Sequence, residues 1–135
     1  MNKTLILFLF ALLAALSNTV SGQSKVPQRT AQDIKSMLCH KWKLTHMEAN
    51  GKRMALPPEM GEATVTFKSD GTLIETDEGQ KFGGKWTYFH KSMTLLIDDK
   101  DGKQKQNILK LTPTQLILKS DYKGLSMNMI MKKID

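Results

Sequence analysis

Met127, Met129 and Met131, spaced two apart, form the densest group of soft ligands in the chain. Thioethers of this kind select Cu(I). Alternation along a strand places all three on one face. The same side chains also fill irregular cores or make the adaptable wall of an apolar pocket. No His or Cys is spaced to complete a copper site, so packing or a pocket wall is the reading adopted, and no metal or other cofactor is expected.

Other candidates for chemistry fall away on spacing. Asp98-Asp99-Lys100-Asp101-Gly102 has the composition of a calcium loop. Setting Gly102 on the loop's glycine, however, puts Ile97 and Ile108 at the first and last ligand positions, where oxygen donors belong. The segment reads as a solvated hairpin turn. Cys39 and His40 are adjacent and so point apart, and no carboxylate is spaced to orient His40. His46 and His90 stand alone as ordinary strand residues. With no phosphate-binding glycine loop and no metal-ligand spacing, the residues point to a protein that is not an enzyme.

What remains is an apolar inventory, which needs elements to position it. Lys3 followed by the uninterrupted apolar run Leu5 to Leu16, with small residues at Val20-Ser21-Gly22, reads as a secretory signal peptide over residues 1–22. The run falls short of the about 20 residues a membrane-spanning helix needs, and no cysteine follows for lipid attachment. The expectation is an exported chain, periplasmic or secreted, that is soluble once cleaved and has no membrane span. Residues 23–29, polar and holding Pro27, read as a flexible lead, and residues 30–135 as one domain. The formal net charge of +7 at pH 7 comes almost wholly from scattered lysines, with Arg29 and Arg53 the arginines. Scattered lysine describes a solvated surface rather than a nucleic-acid face. Cys39, the single cysteine, allows no internal disulfide, and its place in Met37-Leu38-Cys39 suggests burial.

Thr30 to Leu38 predicts a short helix, with Thr30 as cap, Asp33 in the first turn, and Ile34, Met37 and Leu38 on one face. From Lys41 onward the period switches to two. Strands are expected over Lys41–Ala49, Ala63–Lys68, Thr72–Asp77, Gly83–His90, Met93–Asp98, Gln104–Thr112, Gln115–Ser120 and Leu125–Ile134. Asn50-Gly51, Ser69-Asp70-Gly71, Glu78-Gly79 and Tyr122-Lys123-Gly124 are turn signals, and Leu56-Pro57-Pro58-Glu59 is a loop. Eight short strands with no room for crossover helices make an antiparallel up-and-down meander. Closure into a barrel removes its unpaired edges. The inward set is Trp42, Leu44, Val65, Phe67, Trp86, Tyr88, Met93, Leu95, Ile97, Leu109, Leu111, Leu116 and Leu118. Outward Lys and Thr on short strands oppose an outer-membrane barrel.

The chain resembles the small bacterial lipocalin-like proteins of cell-envelope and secreted fractions. The resemblance is carried by Leu38-Cys39-His40-Lys41-Trp42-Lys43-Leu44, by Val65-Thr66-Phe67-Lys68-Ser69-Asp70-Gly71-Thr72, by Gly84-Lys85-Trp86, and by Ile108 to Thr112 through Leu116-Ile117-Leu118. It spans about Lys35 to Ile134. His40-Lys41-Trp42 stands where lipocalins open their first strand with Gly-x-Trp, so the glycine is replaced. The resemblance implies that Trp42 plugs the closed end of the barrel, with Lys132 or Lys133 covering it in place of an arginine. It also implies an internal pocket for a small hydrophobic ligand. Phe67, Trp86, Tyr88, Met127, Met129 and Met131 are the candidate wall. The alternative is a side-chain-filled barrel that serves as a protein-interaction or inhibitor module through loops such as Gly51 to Gly61. An oligonucleotide-binding barrel would need outward aromatics among the lysines.

Overall fold

The computed structural model describes residues 28–122 and 124–135. The expected signal peptide and most of the flexible lead lie outside the described residues. Helix α1 spans Ala31–Leu38. Thr30 caps it in a reciprocal box: the Thr30 hydroxyl accepts from Asp33 N–H at 3.1 Å, and Asp33 Oδ2 accepts from Thr30 N–H at 2.9 Å. Thr30's bonds hold the Asp33 carboxyl below its ordinary value. The amphipathic spacing then buries Ile34 and Leu38, with Met37 half-buried against them.

Nine strands follow: β1 Lys41–Ala49, β2 Lys52–Met54, β3 Thr64–Phe67, β4 Thr72–Asp77, β5 Gln80–Phe89, β6 Thr94–Asp99, β7 Gly102–Leu111, β8 Gln115–Tyr122 and β9 Leu125–Lys133. All neighbours are antiparallel, in the order β2-β1-β3-β4-β5-β6-β7-β8-β9, and β1 also pairs with β9. That last ladder runs from Trp42↔Lys133 to Ala49↔Met127 and closes eight strands into a barrel. The eight-stranded meander read from the sequence is therefore the fold.

β2 is additional. It forms a hairpin with the far end of β1 through Asn50-Gly51, both at positive φ (53° and 71°), as a tight two-residue turn requires. Three exposed residues, Lys52, Arg53 and Met54, carry no alternation that could have revealed it.

Two details depart from the sequence reading. Leu109, expected to face inward, is 52% exposed. The β7–β8 register slips between Ile108↔Leu118 and Lys110↔Ile117. This bulge at Leu109 turns Ile108 and Leu111 inward, where strict alternation would have taken Leu109 and Leu111. Second, β5 and β7 begin earlier, and β8 ends later, than the apolar alternation indicates. The extra residues are mostly polar, Phe82 excepted, and they extend the ladders at one end of the barrel.

The strand order places two ends opposite each other. At one lie the start of β1, the end of β3, the start of β4 and the end of β5, and α1 packs there against β5 and β7. Trp42, Phe67, Leu73, Tyr88, Leu95, Leu111, Leu116 and the helix residues Ile34 and Leu38 are all buried in one cluster there. At the other lie the ends of β1, β4, β6 and β8 and the starts of β5, β7 and β9. Among the described residues no helix is long and apolar enough to cross a membrane.

Candidate functional site

Trp42 lies at the end of the barrel where α1 packs. Its side chain is fully buried, and its Nε1–H donates to the Leu38 carbonyl at 3.0 Å. This bond ties the last turn of α1 to the barrel and gives a buried polar atom its partner. Lys133 is Trp42's register partner on β9, but the ring neighbouring the indole is His40, edge-on at 6.4 Å between centroids. His40 does have a carboxylate, contrary to the spacing argument: Asp135 Oδ1 lies 3.2 Å from His40 Nδ1. Asp135 Oδ2 accepts from the Lys41 N–H at 3.0 Å. Burial raises the Asp135 carboxyl, but these bonds and the His40 contact outweigh it and hold the carboxyl low. Cys39 is half-buried rather than fully buried, and desolvation with Asp70 nearby raises its thiol, which makes it a poor nucleophile.

Trp86 and Tyr88 belong to this packed region. Trp86 Nε1–H donates to the Lys68 carbonyl at 2.9 Å, and its ring meets Phe67 edge-to-face at 5.5 Å. The Tyr88 hydroxyl lies 3.0 Å from His90 Nδ1 and 3.0 Å from Met93 Sδ. Burial raises the Tyr88 phenol. Neither aromatic lines the hollow that lies above them.

Above them the barrel is hollow. A cavity of about 190 Å³ is walled by Leu44 of β1, Val65 and Phe67 of β3, Ile97 of β6, Leu118 of β8, and Met129 and Met131 of β9. Met60, from the short 3-10 turn Pro58–Met60, and Ala63 add apolar surface from the β2–β3 connection. Thr64 and Thr76 lie at its edge. Of the six sequence candidates, the structure brings Phe67, Met129 and Met131 together around this space. Trp86, Tyr88 and Met127 do not line it.

The sequence reading missed the cavity's polar side. Glu75 and Asp77 of β4 and Gln106 of β7 line the same hollow. They continue the inward parity of Leu73 and Ile108, where an apolar-only pattern search passes over them. Gln106 is only 8% exposed, and its Oε1 has no hydrogen-bond partner among the described residues. Asp77 Oδ1 is likewise buried and unpaired. Each such atom costs about 1–3 kcal/mol relative to a paired one. Burial pushes the Glu75 carboxyl up to about 7, helped by the charges of Asp99, Asp101 and Asp77 and opposed by Lys100.

Two larger hollows, of about 530 and 470 Å³, lie elsewhere on the molecule. One runs beside Arg29, His90 and Lys110; the other lies between Thr45, Thr114 and Lys132. Neither is lined by a buried, unpaired side-chain atom. Among the described residues no three His, Cys, Asp or Glu side chains gather as a metal site.

A closed eight-stranded antiparallel barrel, with a buried tryptophan and a short helix packed together at one end and a hollow towards the other, defines a small lipocalin-type architecture. The family model described as a lipocalin-like domain matches residues 38–118, more than half of the sequence, and the chain belongs to that family. The crystal structure of a lipocalin-like protein from Bacteroides uniformis is similar, with a TM-score of 0.57 and 17% identity over 73% of this chain and 99% of that one. Bovine odorant binding protein, solved with a selenium-containing odorant, aligns with a TM-score of 0.48 and 16% identity over 80% of this chain and 77% of that one. No curated protein matches the sequence.

Proposed function

We propose that this chain is an exported, non-enzymatic binding protein that holds a small apolar or amphipathic molecule in the upper half of its barrel. The observation that carries the reading is the hollow itself. Seven strands and the β2–β3 connection surround about 190 Å³ with a largely apolar wall. An eight-stranded barrel has just enough interior either to be filled by side chains or to hold one small ligand, and here the side chains leave a hollow between the strands. An apolar cavity of roughly 150 Å³ is enough for a benzene-sized guest, so the occupant is a compact molecule rather than a long lipid chain. Phe67, Met129 and Met131 are the wall residues assigned to it, together with Leu44, Met60 and Leu118. Export rests on the sequence pattern of residues 1–22.

Native mass spectrometry of the protein recovered from its natural source tests this reading. The expected result is a reproducible added mass that disappears on denaturation. A bare mass, together with no saturable uptake of small aromatic probes, would overturn it in favour of the filled-barrel interaction module.

A further inference from the structure

We propose that the ligand enters with a cationic, hydrogen-bond-donating end, a primary amine on a small aryl or alkyl body. Its ammonium meets Asp77 and Gln106 beside Glu75, and its apolar body lies against Phe67, Leu118 and Met129. The inference rests on reading the hollow as a binding site and specifies the chemistry of its occupant.

Three observations point the same way. First, the unpaired atoms are acceptors: Asp77 Oδ1 and Gln106 Oε1 are both buried and both belong to residues lining the hollow. An ionised carboxylate offers acceptors only, so a neutral hydrocarbon would leave these atoms unsatisfied, whereas a donor satisfies them. Second, the charge at this end of the barrel runs against that of the whole chain. The sequence carries +7, yet Glu75 shares its surroundings with Asp77 on its own strand and with Asp99 and Asp101 from the β6–β7 turn. Lys100 is the cation acting on Glu75, and its Nζ sits 3.7 Å over the Phe82 ring. A carboxylate ligand would meet like charge here; an ammonium meets opposite charge and charge-assisted hydrogen bonds. Third, the volume admits on the order of ten non-hydrogen atoms, judged against the benzene-sized cavity.

Glu75 gives the site a signature. Its carboxyl, pushed up to about 7, is largely neutral in mild acid and ionised above neutrality. An arriving cation favours the ionised form, so amine affinity rises with pH across that range. A carboxylate ligand would show the reverse.

The test is an NMR titration of the purified chain with four probes of one shape: 2-phenylethylamine, 2-phenylethanol, ethylbenzene and 3-phenylpropionate. At pH 8 the amine is expected to bind about tenfold tighter than the alcohol, the gain of a charge-assisted hydrogen bond over a neutral one, with the carboxylate weakest. Lowering the pH to 5.5 should weaken the amine roughly five- to tenfold and leave the alcohol unchanged. Glu75→Gln should remove that pH dependence. Gln106→Leu should narrow the gap between amine and alcohol while ethylbenzene still binds. Equal binding of amine, alcohol and ethylbenzene, a lead for the carboxylate, or a pH dependence that survives Glu75→Gln would overturn the inference while leaving a binding pocket in place. If no probe binds, the pocket reading itself fails and takes the inference with it.

Discussion

The two ends of the barrel are made of the same strands under opposite rules. At the closed end each buried polar atom described above has a partner: Trp42 on Leu38, Trp86 on Lys68, Tyr88 on His90 and Met93. Side chains there fill the space between β-strands and helix. At the open end the inward positions of β4 and β7 change from Leu73 to Glu75 and Asp77, and from Ile108 to Gln106, and the filling stops. One end carries stability, whereas the other retains unpaired acceptors and empty volume that fold stability alone would have removed. Natural sequences depart from local consistency mainly where function requires it.

The largest expected effect tests the closed end. Trp42→Ala should cost about 3–5 kcal/mol, the range for deleting a buried aromatic, read as a lowered urea midpoint. Trp42→Phe keeps most of the ring but loses the bond to Leu38, and should cost less. An Ala cost near zero would mean that the plug is not structural.

Gly84→Ala comes next, probing the wall between the two ends. A methyl group there would sit 2.8 Å from the Asp98 carbonyl and 3.2 Å from Leu73 Cδ1. The backbone of β6 cannot yield as a flexible side chain could, so a loss of about 1–3 kcal/mol is expected. By contrast, Gly79→Ala would meet nothing within 4 Å and would suffer only from its positive φ of 76°.

At the open end the sign reverses. Gln106→Leu removes a buried acceptor without a partner and should raise stability by roughly 1 kcal/mol, with the urea slope unchanged. A destabilised Leu variant would show that Gln106 is satisfied in the folded state and would erase the contrast between the ends.

The smallest effect is a pH dependence. Glu75 has a folded value of about 7 against an ordinary 4.5, so between those values the folded state binds more protons than the unfolded one. Glu75's contribution to stability is therefore full below about 4.5 and declines as pH rises through 7. Because the carboxyl is partly solvated, screening leaves a loss on the order of 1 kcal/mol. Thermal melts at pH 5 and pH 8 should show it, and Glu75→Gln should flatten the difference. If the wild-type curve rises with pH over that range, another group dominates.

How much of this was legible follows from the physics at each end. Along the closed end, burial is two-sided evidence. Period-two alternation of Trp42 and Leu44, of Trp86 and Tyr88, and of Leu116 and Leu118 marks strands and their faces together. The Thr30–Asp33 box marks the helix start locally. Those signals were sufficient for eight strands and their order. They failed where alternation breaks without a sequence mark, as at the Leu109 bulge, and where a strand has no apolar face, as in β2 and the first residues of β5 and β7.

Sequence alone thus determined the fold class, the short capped helix and the position of the closing strand, because hydrophobic periodicity and turn chemistry act over a few residues. Only the tertiary structure decided that the barrel keeps a hollow. It decided that Phe67, Met129 and Met131 face that space while Trp86 and Tyr88 are packed below it, and that Glu75, Asp77 and Gln106 share its wall. Glu75 and Asp77 share β4, and Gln106 of β7 meets them only when the two strands curve around a common axis. Cavity volume and unpaired acceptors are properties of that closure, and no local pattern encodes them.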